Sequence, residues 1–312
     1  MEISRLFIDV MLVAISTGLL WQGSHWLVDS AVRIARKLRM SDLAIGLTIV
    51  AMGTSAPEFA VTINAAIRGL PDISVSNVVG SNIFNLGFIL GGCAAIRNII
   101  TTPALVWRDG LFLLAASSVL VLFLGDLTLA PQEALVLLAA LIVYVGYLFW
   151  KKAHVEEKEL EENATWKDIP LLVLGIIAIA AGGHLLVWAA VSLARACGIS
   201  EWVIGVTIVA AGTSAPEFSA SLVAALKGRY SISAGNLIGS DLFNLLGVLG
   251  LAGTLRPLTI DAAGLGSLYV LVGMVLLVVV FMRTGFRVSR AEGFALVGLN
   301  LIRWIFDFWS QA

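Results

Sequence analysis

One long stretch of this chain occurs twice, almost unchanged. Residues 45–59 read IGLTIVAMGTSAPEF, and residues 204–218 read IGVTIVAAGTSAPEF. Further on, SNVVGSNIFNL (76–86) matches GNLIGSDLFNL (235–245). The offset is constant at 159, from Glu58 to Glu217 and from Ser81 to Ser240. Even Gly23-x-His25 has its partner in Gly182-x-His184. A repeat of this size makes the fold two related halves, each presenting its copy of one motif.

The material between the motifs says where those halves reside. Apolar residues come in runs of about 20, the length an α-helix needs to cross a bilayer. Hydrophobic residues make up 59% of the chain and charged ones 13%, against about 45–50% and about 25% in a soluble domain. That balance excludes a soluble globular domain, a disordered chain, a coiled coil and a disulfide-stapled module. Spans are expected near 6–28, 42–67, 74–96, 110–127 and 131–150, and again near 169–196, 202–226, 231–254, 264–283 and 291–309. The first apolar stretch is long and ends in a basic cluster, so it reads as a retained helix. The fold class is an all-α polytopic membrane protein of ten transmembrane helices. Its halves are 1–150 and 169–312, joined by the polar linker KKAHVEEKELEENATWKD at 151–168. The repeats within them cover about 42–96 and about 201–254. Five spans separate the copies, and five is odd, so the second repeat has the opposite topology. Inverted repeats of this kind belong to secondary transporters, with the site at the midplane where the repeats meet.

Orientation follows from the basic residues. Counting alternate loops places 15 of the 20 lysines and arginines on one side. The positive-inside rule makes that side cytoplasmic and leaves both termini outside. Cys93 and Cys197 lie in or beside apolar runs and imply no disulfide. No basic block points to nucleic acid, and no obligatory protein partner is implied. The lipid bilayer is the partner that composition requires.

The repeated motif carries the chemistry. Pro57 has no backbone donor for the Gly53 carbonyl, and Pro216 fails Gly212 in the same way. Helices 2 and 7 should therefore be broken. Unsatisfied backbone is tolerated at membrane depth only where it lines a polar cavity or meets a partner. The freed carbonyls, with the hydroxyls of Thr54, Ser55, Thr213 and Ser214, are oxygen donors for a hard cation. Glu58 and Glu217 supply charge, each inside an apolar span where a carboxylate costs at least about 2.5–3.5 kcal/mol. Two such groups brought together repel unless protonated or neutralised, and one divalent ion balances both. Ca²⁺ accepts about 6–8 oxygens in irregular geometry, whereas Mg²⁺ demands a tight octahedron and keeps its waters. With no Cys or His beside either glutamate, the donor set suits Zn²⁺ and Cu poorly. Ser81 and Asn85 are i and i+4 on one helix face, and Ser240 with Asn244 repeats them. No HExxH helix occurs, and the serines have no facing histidine at the same depth, so an enzyme is not indicated.

GTSAPEF followed by GSNIFN, duplicated and inverted, resembles the two α-repeats of the cation/calcium exchanger superfamily, and within it the compact prokaryotic Na⁺/Ca²⁺ exchangers. The resemblance implies an antiporter of the prokaryotic inner membrane that exchanges Ca²⁺ for Na⁺ by alternating access. It needs no cofactor beyond the transported ions. Helices 2, 3, 7 and 8 would form the core, and long helices 1 and 6 would slide across it. Calcium would be held by Glu58, Glu217, Thr54 and Thr213. Sodium would use Ser55, Ser81, Ser214 and Ser240 with backbone oxygens at Ala51 and Ala210, and Asn85 and Asn244 would flank the central position. An H⁺/Ca²⁺ antiporter of the same fold is the alternative. Potassium-dependent relatives carry an aspartate where Asn244 stands, which argues against potassium transport. Asp241, where the first repeat has Asn82, either faces a vestibule or adds a third carboxylate to the site. Asp29 and Arg33 are expected to form a helix-end ion pair, and His25 and His184 to make helix-packing contacts.

Overall fold

A computed structural model describes residues 2–37, 40–150, 165, 167–197 and 210–310. The chain runs through α1 (Glu2–Lys37), α2 (Asp42–Thr54), α3 (Ala56–Arg68) and α4 (Pro71–Ile96), then β1 (Ile99–Ile100), α5 (Leu105–Asp126), β2 (Thr128–Leu129) and α6 (Pro131–Trp150). The second half follows as α7 (Asp168–Ala196), α8 (Ala210–Thr213), α9 (Ala215–Leu226) and α10 (Tyr230–Leu255), then β3 (Leu258–Thr259), α11 (Ala262–Arg283), β4 (Arg287–Val288) and α12 (Arg290–Ser310). Positions 202–209 of the expected seventh span, and almost all of the linker, lie outside the described residues. Every other expected span coincides with helix. By length and apolar composition, seven helices among the described residues can cross a bilayer, or eight with the α2–α3 pair counted as one bent span. Their outer faces expose large apolar side chains such as Ile142, Val143, Ile177 and Tyr269. Such faces suit contact with lipid.

The breaks fall where proline demands them. Between α2 and α3 the axis bends by 52°. Ser55 sits at the corner with φ −79° and ψ 8°, and Pro57 occupies the first turn beyond it. Ser214 has φ −90° and ψ 7° between α8 and α9, again just ahead of a proline. Both serines leave the helical region so that the following helix can start without the missing donor.

The two halves are tied by reciprocal contacts. β1 pairs with β4 in the register Ile99↔Val288, and β2 pairs with β3 in the register Leu129↔Leu258. Shifting one ladder by 159 residues generates the other. Helices α1 and α7 pack on one another through small residues that obey the same relation. A Cβ on Gly23 would stand 2.9 Å from that of Ala178, and one on Gly182 would stand 3.1 Å from that of Leu19. At Gly175 the Leu27 backbone nitrogen would lie only 2.7 Å away. Any larger side chain there would drive the two helices apart.

Inside, α4 and α10 are the most enclosed helices, and α10 crosses α2 through Gly239, where a Cβ would be 2.7 Å from the Leu47 Cα. That close crossing places the two copies of the motif side by side. Peripheral helices then cover the pair: α6 packs on α10, α12 on α4, and α5 on α11. A different polar cluster ties α5 to α6. Arg108 donates to both carboxylate oxygens of the buried Asp109 at 2.6 and 2.9 Å, and Tyr144 Oη donates to it at 2.8 Å. Among the described residues, the ion pairs of Asp29 and Arg33 run to other elements rather than to each other. Arg33 reaches across to Asp168 on α7, and Asp29 accepts from Lys227. In each case a partner from another element wins over the helical neighbour.

Candidate cation-binding site

The corner residues exchange hydrogen bonds between the halves. Ser55 Oγ donates to Glu217 Oε1 at 2.9 Å, and Ser214 Oγ donates to Glu58 Oε1 at 3.3 Å. All four side chains are fully buried. Each glutamate sits in the first turn after its break, and the serine at each break faces the opposite glutamate. The kink thus sets the position of its own carboxylate and steadies that of the other half.

Thr54 is also buried, and its Oγ1 donates to the Ala51 carbonyl and to Asn236 Oδ1, both at 3.2 Å. It lies 3.4 Å from Ser240 Oγ. Thr213 is half-buried, less enclosed than its counterpart Thr54. The Ala51 carbonyl already accepts from Thr54 and from the Ser55 backbone N–H. Ala210 opens α8 at the edge of the described region.

A second layer comes from α4 and α10. Asn85 Nδ2 donates to Asp241 Oδ1 at 3.0 Å, and Asn244 Nδ2 donates to Asn82 Oδ1 at 3.1 Å. These two bonds are counterparts at offset 159. Asn244 Nδ2 also lies 3.4 Å from Ser81 Oγ, which itself donates to the Val78 carbonyl. The equivalence then fails at one atom. Asn82 Nδ2 donates to the Asp241 backbone carbonyl at 3.0 Å, but Asp241 carries an oxygen where that donor would be. The sequence left Asp241 between a vestibule and the site; here it is fully buried beside the asparagines.

Sequence reasoning passed over Asn77 and Asn236. Their Nδ2 atoms donate to Thr62 Oγ1 at 3.0 Å and to Ser221 Oγ at 2.9 Å, and approach the backbone carbonyls of Glu58 and Glu217 at 3.5 Å. They brace the glutamate-bearing turns. The signal was available, because both are identical across the repeat in the motif already quoted. His25 bonds back to the Trp21 carbonyl at 2.9 Å, and His184 is exposed.

Five buried oxygens in this cluster lack a hydrogen-bond partner among the described residues: Glu58 Oε2, Glu217 Oε2, Asp241 Oδ2, Asn85 Oδ1 and Asn244 Oδ1. A buried polar atom without a partner is costly, and one cation can compensate several. No three His, Cys, Asp or Glu side chains among the described residues converge tightly enough to hold a metal by themselves. A cation here would therefore complete its shell with amide, hydroxyl and backbone oxygens, the chemistry of a hard ion.

Comparison with known proteins meets this geometry. The family model described as sodium/calcium exchanger protein matches residues 8–150 and 167–308. The chain belongs to that family. A putative antiporter CaxA from Alkalimonas amylolytica is 37% identical, with 95% of this chain and 96% of that protein aligned. The sodium/calcium exchanger MaX1 from Methanosarcina acetivorans is 33% identical over 93% of this chain and 95% of its own length. Among solved structures, the sodium-calcium exchanger NCX_Mj soaked with zero Na⁺ and Ca²⁺ superposes with a TM-score of 0.84. It shares 31% identity over 95% of this chain and 98% of that one.

Proposed function

We propose that this family member is a secondary antiporter exchanging Ca²⁺ for Na⁺ by alternating access around Glu58 and Glu217. The observation that carries this reading is the reciprocal pair of serine–glutamate bonds, each leaving one buried carboxylate oxygen free. The names of MaX1 and NCX_Mj point to the same ions. Glu58, Glu217, Thr54 and Thr213 take calcium. Ser55, Ser81, Ser214 and Ser240, with the carbonyls of Ala51 and Ala210, take sodium, and Asn85 and Asn244 flank the centre. Two carboxylates neutralise one Ca²⁺ or two Na⁺, so the ions compete for one charge balance in a low-dielectric site. The transported ions are the only ligands this mechanism requires.

The architecture that goes with it has ten spans in two inverted halves, 1–150 and 169–312, with 151–168 as a cytoplasmic linker and helices 2 and 7 broken. The strand ladders support that parity. β1 follows the third span and β4 the ninth, so their pairing puts an even number of crossings between them. β2 and β3, after the fourth and eighth spans, give an even number too. The α1–α7 pair is the unit that slides across the core. Both termini lie on the extracytoplasmic side of a prokaryotic inner membrane.

The test is ⁴⁵Ca²⁺ uptake into proteoliposomes driven by an outward sodium gradient with pH clamped on both sides. Sodium-driven accumulation supports the exchange. Uptake that answers only to a pH gradient would overturn it in favour of H⁺/Ca²⁺ antiport.

A further inference from the structure

The fold's internal two-fold relation offers a control for surface chemistry as well as for the core. Beside the β1–β4 ladder lies a cleft of about 560 Å³ lined by Arg97, Arg287, Arg290 and Tyr230, with no acidic side chain among its lining residues. The three arginines are exposed. None of them forms an ion pair among the described residues, where Arg33, Arg108, Lys227 and Arg229 do. Two are held in place by neutral partners. Arg97 lies over the Tyr230 ring at 5.5 Å and donates to the Leu226 carbonyl at 3.4 Å, and Arg290 donates to the Ile96 carbonyl at 3.0 Å.

Shifting these positions by 159 gives the corresponding place beside the β2–β3 ladder. There Arg97 becomes Arg256, but Arg287 becomes Thr128, Arg290 becomes Pro131, and Gly285 becomes Asp126. One backbone geometry is therefore used twice, with three arginines and Glu292 at one end, and Arg256 with Asp126 and Glu133 at the other. A topology signal requires only that basic residues be numerous on one side. It does not require three of them to converge on one cleft, where Glu292 beside Arg287 is already occupied by Thr284 and Ser289.

The rim is apolar. Ile100 and Phe286 are exposed at the cleft, and nearby Arg283 covers the exposed Trp107 ring at 5.3 Å. Exposed tryptophan at a helix end beside arginine marks the interfacial zone of a bilayer. Guanidiniums bind phosphate oxygens through paired N–H donors, and basic pockets at helix ends are suited to acidic lipid headgroups. We propose that this cleft binds the phosphate of an anionic phospholipid, with Arg97, Arg287 and Arg290 on the headgroup and Ile100 and Phe286 against its chains.

The test uses the purified full chain in detergent, titrated with phosphatidylglycerol or phosphatidylcholine, with bound lipid counted by native mass spectrometry. Phosphatidylglycerol should be retained in preference. The double variant Arg287→Gln/Arg290→Gln should weaken its binding roughly 30-fold, the loss of two basic side chains from an anionic surface. Arg256→Gln, at the equivalent place on the other end, should leave it unchanged. All three forms should run as one peak in gel filtration, which separates lost binding from lost folding. Equal retention of the two lipids would overturn the proposal. So would binding that survives the double substitution, or occupancy by millimolar inorganic phosphate with no lipid preference.

Discussion

Ser55 Oγ donates to Glu217 Oε1 at 2.9 Å although 162 positions separate them, and this bond makes each half of the chain incomplete without the other. A helix break in one repeat supplies the donor that holds the carboxylate of the second. The same arrangement returns from Ser214 to Glu58. Neither glutamate is positioned by its own helix alone.

Glu58→Gln or Glu217→Gln should abolish calcium exchange, lowering sodium-driven ⁴⁵Ca²⁺ flux at least about 100-fold, because each removes half the charge facing a divalent ion. The amides keep the shape of the side chain and can still accept from Ser214 or Ser55. Both variants should therefore purify as monodisperse protein with an unshifted thermal midpoint. Substantial residual flux in both would make these residues packing elements.

Much of this was legible in the sequence, for reasons that can be assigned. Carboxylates in the middle of apolar runs, each beside a proline, stand out against hydrocarbon, and the constant offset pairs them. Directions around a helix were not legible. Asp241 is one residue from Ser240, about 100° away, and only the packing of α4 against α10 shows that it points inward at Asn85. Local spacing also misled. Asp29 and Arg33 have ideal helical separation, yet Asp168 and Lys227 approach from other elements and take the two charges. Helix-surface pairs contribute only about 0.2–0.5 kcal/mol, so any well-placed tertiary partner displaces them.

Asp241→Asn should fold at least as well as the unsubstituted chain. It gives the second repeat the amide that the first carries at Asn82, and the two-fold relation aims its Nδ2 at the Asn82 carbonyl. Removing one of the three buried carboxylates at the candidate site also lowers the positive charge that the site can hold. The sodium concentration giving half-maximal calcium efflux should rise several-fold. Unchanged sodium dependence would mean that Asp241 adds no charge to the cycle.

Asp109→Ala tests a polar cluster that the exchange reading does not use. Arg108 and Tyr144 would both lose their acceptor inside the α5–α6 contact. Breaking a fully buried pair costs about 3–5 kcal/mol. Arg108 remains 29% exposed, so solvent reduces that to roughly 2 kcal/mol. The thermal midpoint in detergent should fall, while the sodium dependence of the surviving protein stays the same. A changed sodium dependence with normal stability would place Asp109 in the transport path.

The four serines, all proposed to take sodium, should differ in how far their loss also disturbs calcium, because only some of them hold a carboxylate. Ser55 and Ser214 donate to the glutamates, so alanine there strips each carboxylate of a charge-assisted bond, a contribution of about 1.5–3 kcal/mol. Calcium/calcium exchange and sodium/calcium exchange should both weaken, each with a calcium half-saturation raised about 10-fold or more. Ser81 has no carboxylate partner among its hydrogen bonds, which join it to the Val78 carbonyl and to Asn244. Ser81→Ala removes an oxygen that only sodium is expected to use. Calcium/calcium exchange should survive in this variant while sodium-driven exchange falls several-fold. Ser240 stands between these two cases, because its hydroxyl meets that of Thr54, proposed to take calcium, at 3.4 Å. Measuring both exchange modes on each single variant decides the matter. Equal loss of the two modes in Ser81→Ala would show that the α4 serine serves calcium or the fold, and the division of oxygens between the ions would have to be redrawn.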